Sequence, residues 1–240
     1  MSNGFVLLYS LSLVTKIANM KPTSAKYDIV FWDLDGTLSN SKEGIFNAIF
    51  YACDKEGVSH PNEEVLNSFI GPPLYVSFMK HFYPKDEAKA RQMVDYYREY
   101  YSSKGIYENS LYPGILEIVQ DLHDLKVPQY LVTAKPTPYA KIVLEHSKID
   151  HIIKEVHGSN MDGSRSGKKE IIRDIFKVNP SLKKKKIVMI GDRYYDIVGG
   201  KHHKLKTIAV LYGFGSEDEL YEHLPNFTAA NDTQLRQLLF

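Results

Sequence analysis

The chain has 240 residues, 43% hydrophobic and 25% charged, the balance of a folded globular protein rather than a disordered one. Thirty basic residues against 29 acidic ones leave a formal charge of +1, so no overall field points to a nucleic-acid polymer or an anionic membrane as partner. The single cysteine, Cys53, excludes an intrachain disulfide and suits a reducing, cytoplasmic setting.

Residues 1–26 read as an N-terminal extension outside the fold. The apolar run "FVLLYSLSLV" resembles the centre of a signal peptide, but no Lys or Arg precedes it and it is too short to span a bilayer. Met20 opens a natural lead into the first strand, which is predicted over 27–32 and is apolar at most positions. From 41 to 110 the pattern is helical, punctuated by Pro61, Gly71-Pro72-Pro73 and Pro84, with no strand pattern inside it. A helix over 115–125 precedes "PQYLVTAKPTP", a strand expected to end at Thr133, and the helix "YAKIVLEHSK" follows.

Next come the strand-like "HIIKEVHGS", the polar loop "NMDGSRSGKKE" and the helix "EIIRDIF". "KIVMIGDRYYD" is an apolar strand ending in a Gly-Asp turn, and "TIAVLYGFG" is another strand. A helix from about Ser216 and a polar tail complete the chain. Alternating strands and helices predict an α/β fold with a parallel sheet, and a helical block after the first strand predicts a separate cap. The core is assigned to 27–40 and 111–240, the cap to 41–110.

In such sheets ligands sit beyond the carboxyl ends of the strands. Three apolar strands end in polar groups here: Asp33 and Asp35, then Thr133, then Asp192. Residues i and i+2 of an extended segment point the same way, so Asp33 and Asp35 are expected on one face. Two neighbouring carboxylates repel unless a cation or donors offset the repulsion, and all-oxygen ligation favours Mg2+. A lone D-x-D pair has a plainer alternative, a solvated strand-to-loop turn. Other features have plain readings too. Cys53 suits helix packing, the tyrosine-rich run 96–112 suits packing rather than base stacking, and Lys183 to Lys186 suit a solvated face. His202 and His203, adjacent on a helix, make a poor metal pair.

The whole string Asp33-Leu34-Asp35-Gly36-Thr37-Leu38 is more specific. It resembles the first motif of the haloacid dehalogenase superfamily of phosphatases. Thr133 at a strand end resembles the second motif, and Lys168 opening a helix the third, with Lys169 as the fallback. "IGDRYYD", with Asp192 and Asp196, resembles the fourth. The resemblance covers about Tyr27 to the C-terminus and implies a three-layer Rossmann-like core with a small helical cap.

It also implies a Mg2+-dependent phosphomonoester hydrolase acting on a small phosphorylated metabolite. Asp33 is then the nucleophile and Asp35 the general acid and base. Thr133 and Lys168 bind the phosphoryl group. The metal is held by Asp33, Asp192 and the backbone carbonyl of Asp35, and Asp196 supports the site from behind. Within "FIGPPLYVSF", Gly71 and Pro72 are the cap positions expected to meet substrate; a plain helix–helix turn is the alternative. "FIGPPL", "DGSRSGK" and "IGDRYYDIVGG" most resemble the phosphoglycolate phosphatase-like branch, some of whose members are 5′-nucleotidases. Ranked lower are a sugar-phosphate mutase, whose usual Lys-Pro-x-Pro-Asp stretch is missing, and a non-catalytic binding module. Ala134 and Gly167 depart from residues frequent in these relatives, without removing a named catalytic group.

Overall fold

The computed structural model describes residues 21–240, and the expectations for residues 1–20 lie outside them. The first strand, β1 (Ile29–Trp32), is buried at all four positions, as a strand covered on both faces must be. It lies centrally in a six-stranded parallel sheet of order β5-β4-β1-β6-β7-β8. The others are β4 (Gln129–Pro136), β5 (Ile153–Ser159), β6 (Ile187–Gly191), β7 (Lys206–Val210) and β8 (Phe227–Ala229). Between them run α5 (Ile115–Asp124), α6 (Thr137–His146), α7 (Lys168–Val178), α8 (Tyr194–His202), α9 (Glu217–Glu222) and α10 (Asp232–Leu239).

The register of the central strands decides which polar groups meet at the sheet's carboxyl edge. Trp32 pairs with Leu131 on one side and with Ile190 on the other. Asp33 therefore emerges beside the end of β6, where its N–H still donates to the Ile190 carbonyl at 2.9 Å, and Asp192 emerges one residue later. One layer of the core closes over the sheet with Phe31, Tyr130, Ile171, Ile175 and Met189. On the other face Trp32, fully buried, donates its indole N–H to the Gln129 side chain at 3.0 Å. Gln129 in turn donates to the Val119 carbonyl at 2.9 Å and so ties α5 to the sheet.

The cap contains α1 (Lys42–Glu56), α2 (Glu63–Ser68), α3 (Leu74–His81) and α4 (Glu87–Ser103). Ile45, Ala48, Ile49, Ala52 and Cys53 of α1 are buried at helical spacing, as are Ala90, Met93, Val94, Tyr97 and Tyr101 of α4. These two stripes pack on each other. Each large side chain so buried contributes roughly 1.5–3 kcal/mol. The Asn62 side chain caps α2 by accepting from Val65 N at 3.0 Å, and Asp86 caps α4 by accepting from Lys89 N at 3.0 Å.

Three details differ from the expectations. The strand carrying Thr133 continues to Pro136, since its pairing with β5 resumes at Pro136 after an irregularity. The polar tail contains a strand and a helix: β8 is an edge strand three residues long, too short and too polar for a period-two pattern. The cap is also entered and left through a two-residue antiparallel ribbon, β2 (Ser39–Asn40) with β3 (Ser110–Leu111), which is below the length at which periodicity registers.

Replacing Gln129 by Leu is expected to strand the Trp32 indole N–H in the core and to lower stability by about 1–3 kcal/mol. Urea unfolding followed by the fluorescence of Trp32, the single tryptophan, measures this. An unchanged midpoint would mean that the Gln129 link to α5 does not help hold the sheet.

Candidate active site

Strand ends and the first turns of two helices bring the expected core groups together. The carboxylates of Asp33, Asp192 and Asp196 each offer an oxygen, and these atoms all lie within 4.8 Å of one another. Lys168, the first residue of α7, puts Nζ 2.7 Å from Asp33 Oδ1 and 2.5 Å from Asp196 Oδ1. Its side chain is 3% exposed, whereas Lys169 is exposed, so the pocket lysine is Lys168 and not the fallback. Thr133 is buried, and its hydroxyl accepts from the Lys135 backbone N–H at 3.2 Å.

Asp33 and Asp35 do line one cavity, but different lysines hold them. Lys135 Nζ lies 2.7 and 2.8 Å from the two oxygens of Asp35, with the side chains 5% and 16% exposed. The same ammonium sits 5.0 Å from the centre of the Tyr101 ring of the cap. Lys135 was not among the sequence candidates. Its signal was available: it stands two residues after Thr133 on an extended strand, hence on the same face.

Four carboxylates thus face two ammonium groups, an excess of two negative charges in a dry setting. Burial, then the charge of Asp33, pushes the Asp192 carboxyl up to about 8. Asp196 rises to about 7, chiefly through burial and against the pull of Lys168. Burial alone would lower Lys168, but Asp196 and Asp33 outweigh it and raise its pKa. The two acids near α8 are nevertheless held firmly. Asp192 accepts from the Thr37 hydroxyl at 3.0 Å and from the Phe214 N–H at 2.8 Å. Asp196 accepts from Lys168 and, at 3.1 Å, from the Arg193 N–H. Both oxygens of Asp196 are thus engaged, one of them by the Lys168 ammonium, whereas the donors to Asp192 are neutral.

One atom in the cluster is left over. Asp33 Oδ1 is buried and lacks a well-aligned hydrogen bond, although the Lys168 ammonium stands 2.7 Å from it. A carboxylate oxygen met by an ionic contact and no aligned hydrogen bond, beside Asp192 in a cluster with surplus acidic groups, fits a small divalent cation with oxygen ligands. Asp33 and Asp192 are the carboxylates that would hold it.

Above these groups the cap closes a cavity of about 570 Å³. Gly71 and Pro72 line it, as do Leu74, Tyr75, Val94, Tyr97 and Tyr101 of the cap and Thr133, Lys135 and Tyr139 of the core. The tyrosine-rich stretch does pack, since the Tyr97 and Tyr101 rings stack at 5.3 Å, yet both also face the cavity. The guanidinium of Arg91 lies 4.6 Å from the centre of the Tyr75 ring at the same wall. The plain readings of the remaining features hold: Cys53 is buried in α1, and His203 bonds a backbone oxygen.

Comparison with known proteins places this arrangement. A 5′-nucleotidase of Pseudomonas aeruginosa is 38% identical over 220 residues, 92% of this chain and 99% of its own length. A predicted phosphatase from Clostridium acetobutylicum, 38% identical, superimposes with a TM-score of 0.79 over 88% of this chain and 97% of its own. The tyrosine-protein kinase PtkA of Mycobacterium tuberculosis is 30% identical over 79% of this chain and 64% of the kinase. The model of the haloacid dehalogenase-like hydrolases matches residues 30–210, which spans all four motifs, and the chain belongs to that family as a phosphatase.

Proposed function

We propose that the protein hydrolyses phosphomonoesters with Mg2+ through a phosphoryl-Asp33 intermediate, and that nucleoside 5′-monophosphates are its preferred substrates. The observation that carries the reading is Asp33 itself, a buried carboxylate against Lys168 at the floor of a cavity with Asp35 opposite. In the first step a carboxylate oxygen of Asp33 attacks phosphorus, and the P–O bond to the leaving group breaks. Asp35 gives its proton to the departing oxygen. In the second step Asp35 takes a proton from water, the water oxygen attacks phosphorus, and the Asp33 carboxylate is restored with release of inorganic phosphate.

Lys168 offsets charge on the phosphoryl oxygens, and the Thr133 hydroxyl is placed to donate to one of them. Lys135 fixes the direction of the Asp35 carboxylate. When bound, Mg2+ would neutralise charge on the phosphoryl group, held by Asp33, Asp192 and the Asp35 carbonyl. The lone cysteine, buried in the cap, supports a cytoplasmic setting.

The choice of substrate rests on the space above the chemistry. A volume of about 570 Å³ lies within the usual range of roughly 300–1,000 Å³ for small-molecule sites. Phosphoglycolate, a two-carbon acid, would leave much of it to water. Tyr75, Tyr97, Tyr101 and Tyr139 line it with aromatic edges and faces, and Arg91 and Arg98 with planar cations, a lining that suits a nucleoside better than a small acid. The relative named a 5′-nucleotidase agrees with this order of preference.

With Mg2+ present, kcat/KM for nucleoside 5′-monophosphates is expected to exceed that for phosphoglycolate by about tenfold or more. Inorganic phosphate should appear in equal amount to the alcohol, and Asp33→Asn should lose activity by on the order of 10³-fold or more. Phosphoglycolate as the best substrate would overturn the assignment. An Asp33→Asn enzyme of full activity would overturn the mechanism.

The acid cluster also predicts how metal and pH combine. Asp192 and Asp196 have raised pKa values in the folded, metal-free chain. The stability they contribute is full below their unfolded values and is lost as pH rises through about 7 to 8. Metal binding removes that loss, so Mg2+ should raise Tm more at pH 8 than at pH 5.5. At a hundredfold excess over Kd the gain is about 2.7 kcal/mol, several degrees in a chain of this size. Thermal unfolding with EDTA or MgCl2 at both pH values measures it. Equal shifts at the two pH values would exclude the cluster as the metal site.

A further inference from the structure

We infer that Arg193 is a positioning residue that latches the cap turn at Ile70 and Gly71 to the loop carrying Asp192, and so sets affinity for substrates large enough to touch the cap. The effect on affinity alone rests on the phosphatase reading. Arg193 directly follows Asp192, and its own N–H donates to Asp196. Its side chain, 12% exposed, leaves the core and donates from Nη1 to the backbone carbonyl of Ile70 in the cap. No backbone donor reaches that carbonyl among the described residues. From the other edge of the same guanidinium, Nε donates to Glu219 at 2.9 Å. The same Glu219 oxygen accepts from the Tyr194 N–H at 2.9 Å, so the carboxylate braces the guanidinium against α8.

This is a use of the guanidinium fork that a lysine cannot copy, because two directions must be served at once. The cap side is shaped to receive it. Gly71 has φ +112, a conformation that side-chain-bearing residues rarely adopt, and a Cβ there would stand 3.2 Å from Arg193 Nη1. The turn so held lines the cavity through Ile70, Gly71 and Pro72. A second contact joins the cap to another core loop. Arg98 of α4 donates to the carbonyl of Met161, in the loop that leads into Lys168. The seating of the cap is therefore tied to the loop that carries Asp192 and to the loop that leads into Lys168, and the Arg193 tie is the more deeply buried.

Buried, charge-assisted and braced, the Arg193 bond should hold the turn shut for much of the time. Substrates that reach the turn gain from that order. A substrate ending near the phosphoryl group does not.

The test is hydrogen exchange of residues 69–75 in the wild-type protein and in Arg193→Lys, with Gly71→Ala as a second variant that attacks the latch from the cap side. Faster exchange there in both variants, by tenfold or more at unchanged exchange in β1 and β6, is expected. Unchanged exchange overturns the latch. Kinetics then read its consequence: KM for adenosine 5′-monophosphate should rise at least tenfold more than KM for acetyl phosphate, with kcat for the two substrates changing in parallel. Equal KM changes would reduce Arg193 to a support for the Asp192 loop and overturn the proposal. Should the wild-type protein hydrolyse no phosphomonoester, the proposed function falls, while the exchange experiment still decides the latch by itself.

Discussion

Everything in this molecule is arranged around a repulsion. Asp33, Asp35, Asp192 and Asp196 are gathered at the carboxyl edge of one sheet, where low dielectric magnifies each charge. Left alone, such a cluster would protonate or pull apart. Two lysines offset half of it: Lys168 between Asp33 and Asp196, and Lys135 across both oxygens of Asp35. The two carboxylates left over are what a divalent ion would neutralise, and Asp33 and Asp192 stand close enough to share it. The lysines also separate the two carboxylates of the D-x-D pair functionally. One is paired with Lys168 at the start of α7, the other with Lys135 on β4.

The parallel sheet makes such a cluster geometrically possible. Asp33, Asp35 and Asp192 stand just beyond the ends of buried strands, whose interiors carry apolar side chains, and Asp196 follows in the first turn of α8. The register of β1 between β4 and β6 then brings the strand ends level without any long-range adjustment. Hydrogen bonds from Thr37 and from the Phe214 N–H complete the shell of Asp192, so loops far apart in sequence converge on one oxygen pair. Preorganised donors of this kind do not have to rearrange when charge moves, which is the main electrostatic advantage a folded site has over water.

The core of this arrangement was legible in the sequence because its signals are local. An apolar run that ends in Asp-Leu-Asp-Gly, or in Gly-Asp, is visible within a few residues, and a helical block between strands is visible by its period. The rest depends on partners distant in sequence. Lys135 becomes part of the site only because β4 neighbours β1, and Arg193 matters only because the cap folds back over α8. Strand β8 and the β2–β3 ribbon were hidden for another reason. Elements of two or three residues are too short to show alternation, and their existence is decided by the neighbour that offers them hydrogen bonds.

The core groups and the cap divide the labour between them. On the proposed mechanism the core groups meet only the phosphoryl group and the bridging oxygen, which every phosphomonoester shares, so they would not distinguish one leaving group from another. Discrimination would then come from surface that touches the rest of the substrate, and above the acids that surface belongs to the cap, to Tyr139 and to the core loop from Ser159 to Ser166. A cap that chooses substrates must also be held in register with the chemistry, or its contacts would not bear on the transition state. Bonds from Arg193 and Arg98 supply such register, because each joins the cap to a loop that ends in a charged group of the site. Affinity for the distal part of a substrate and the placement of Asp192 and Lys168 are thereby made parts of one mechanical unit.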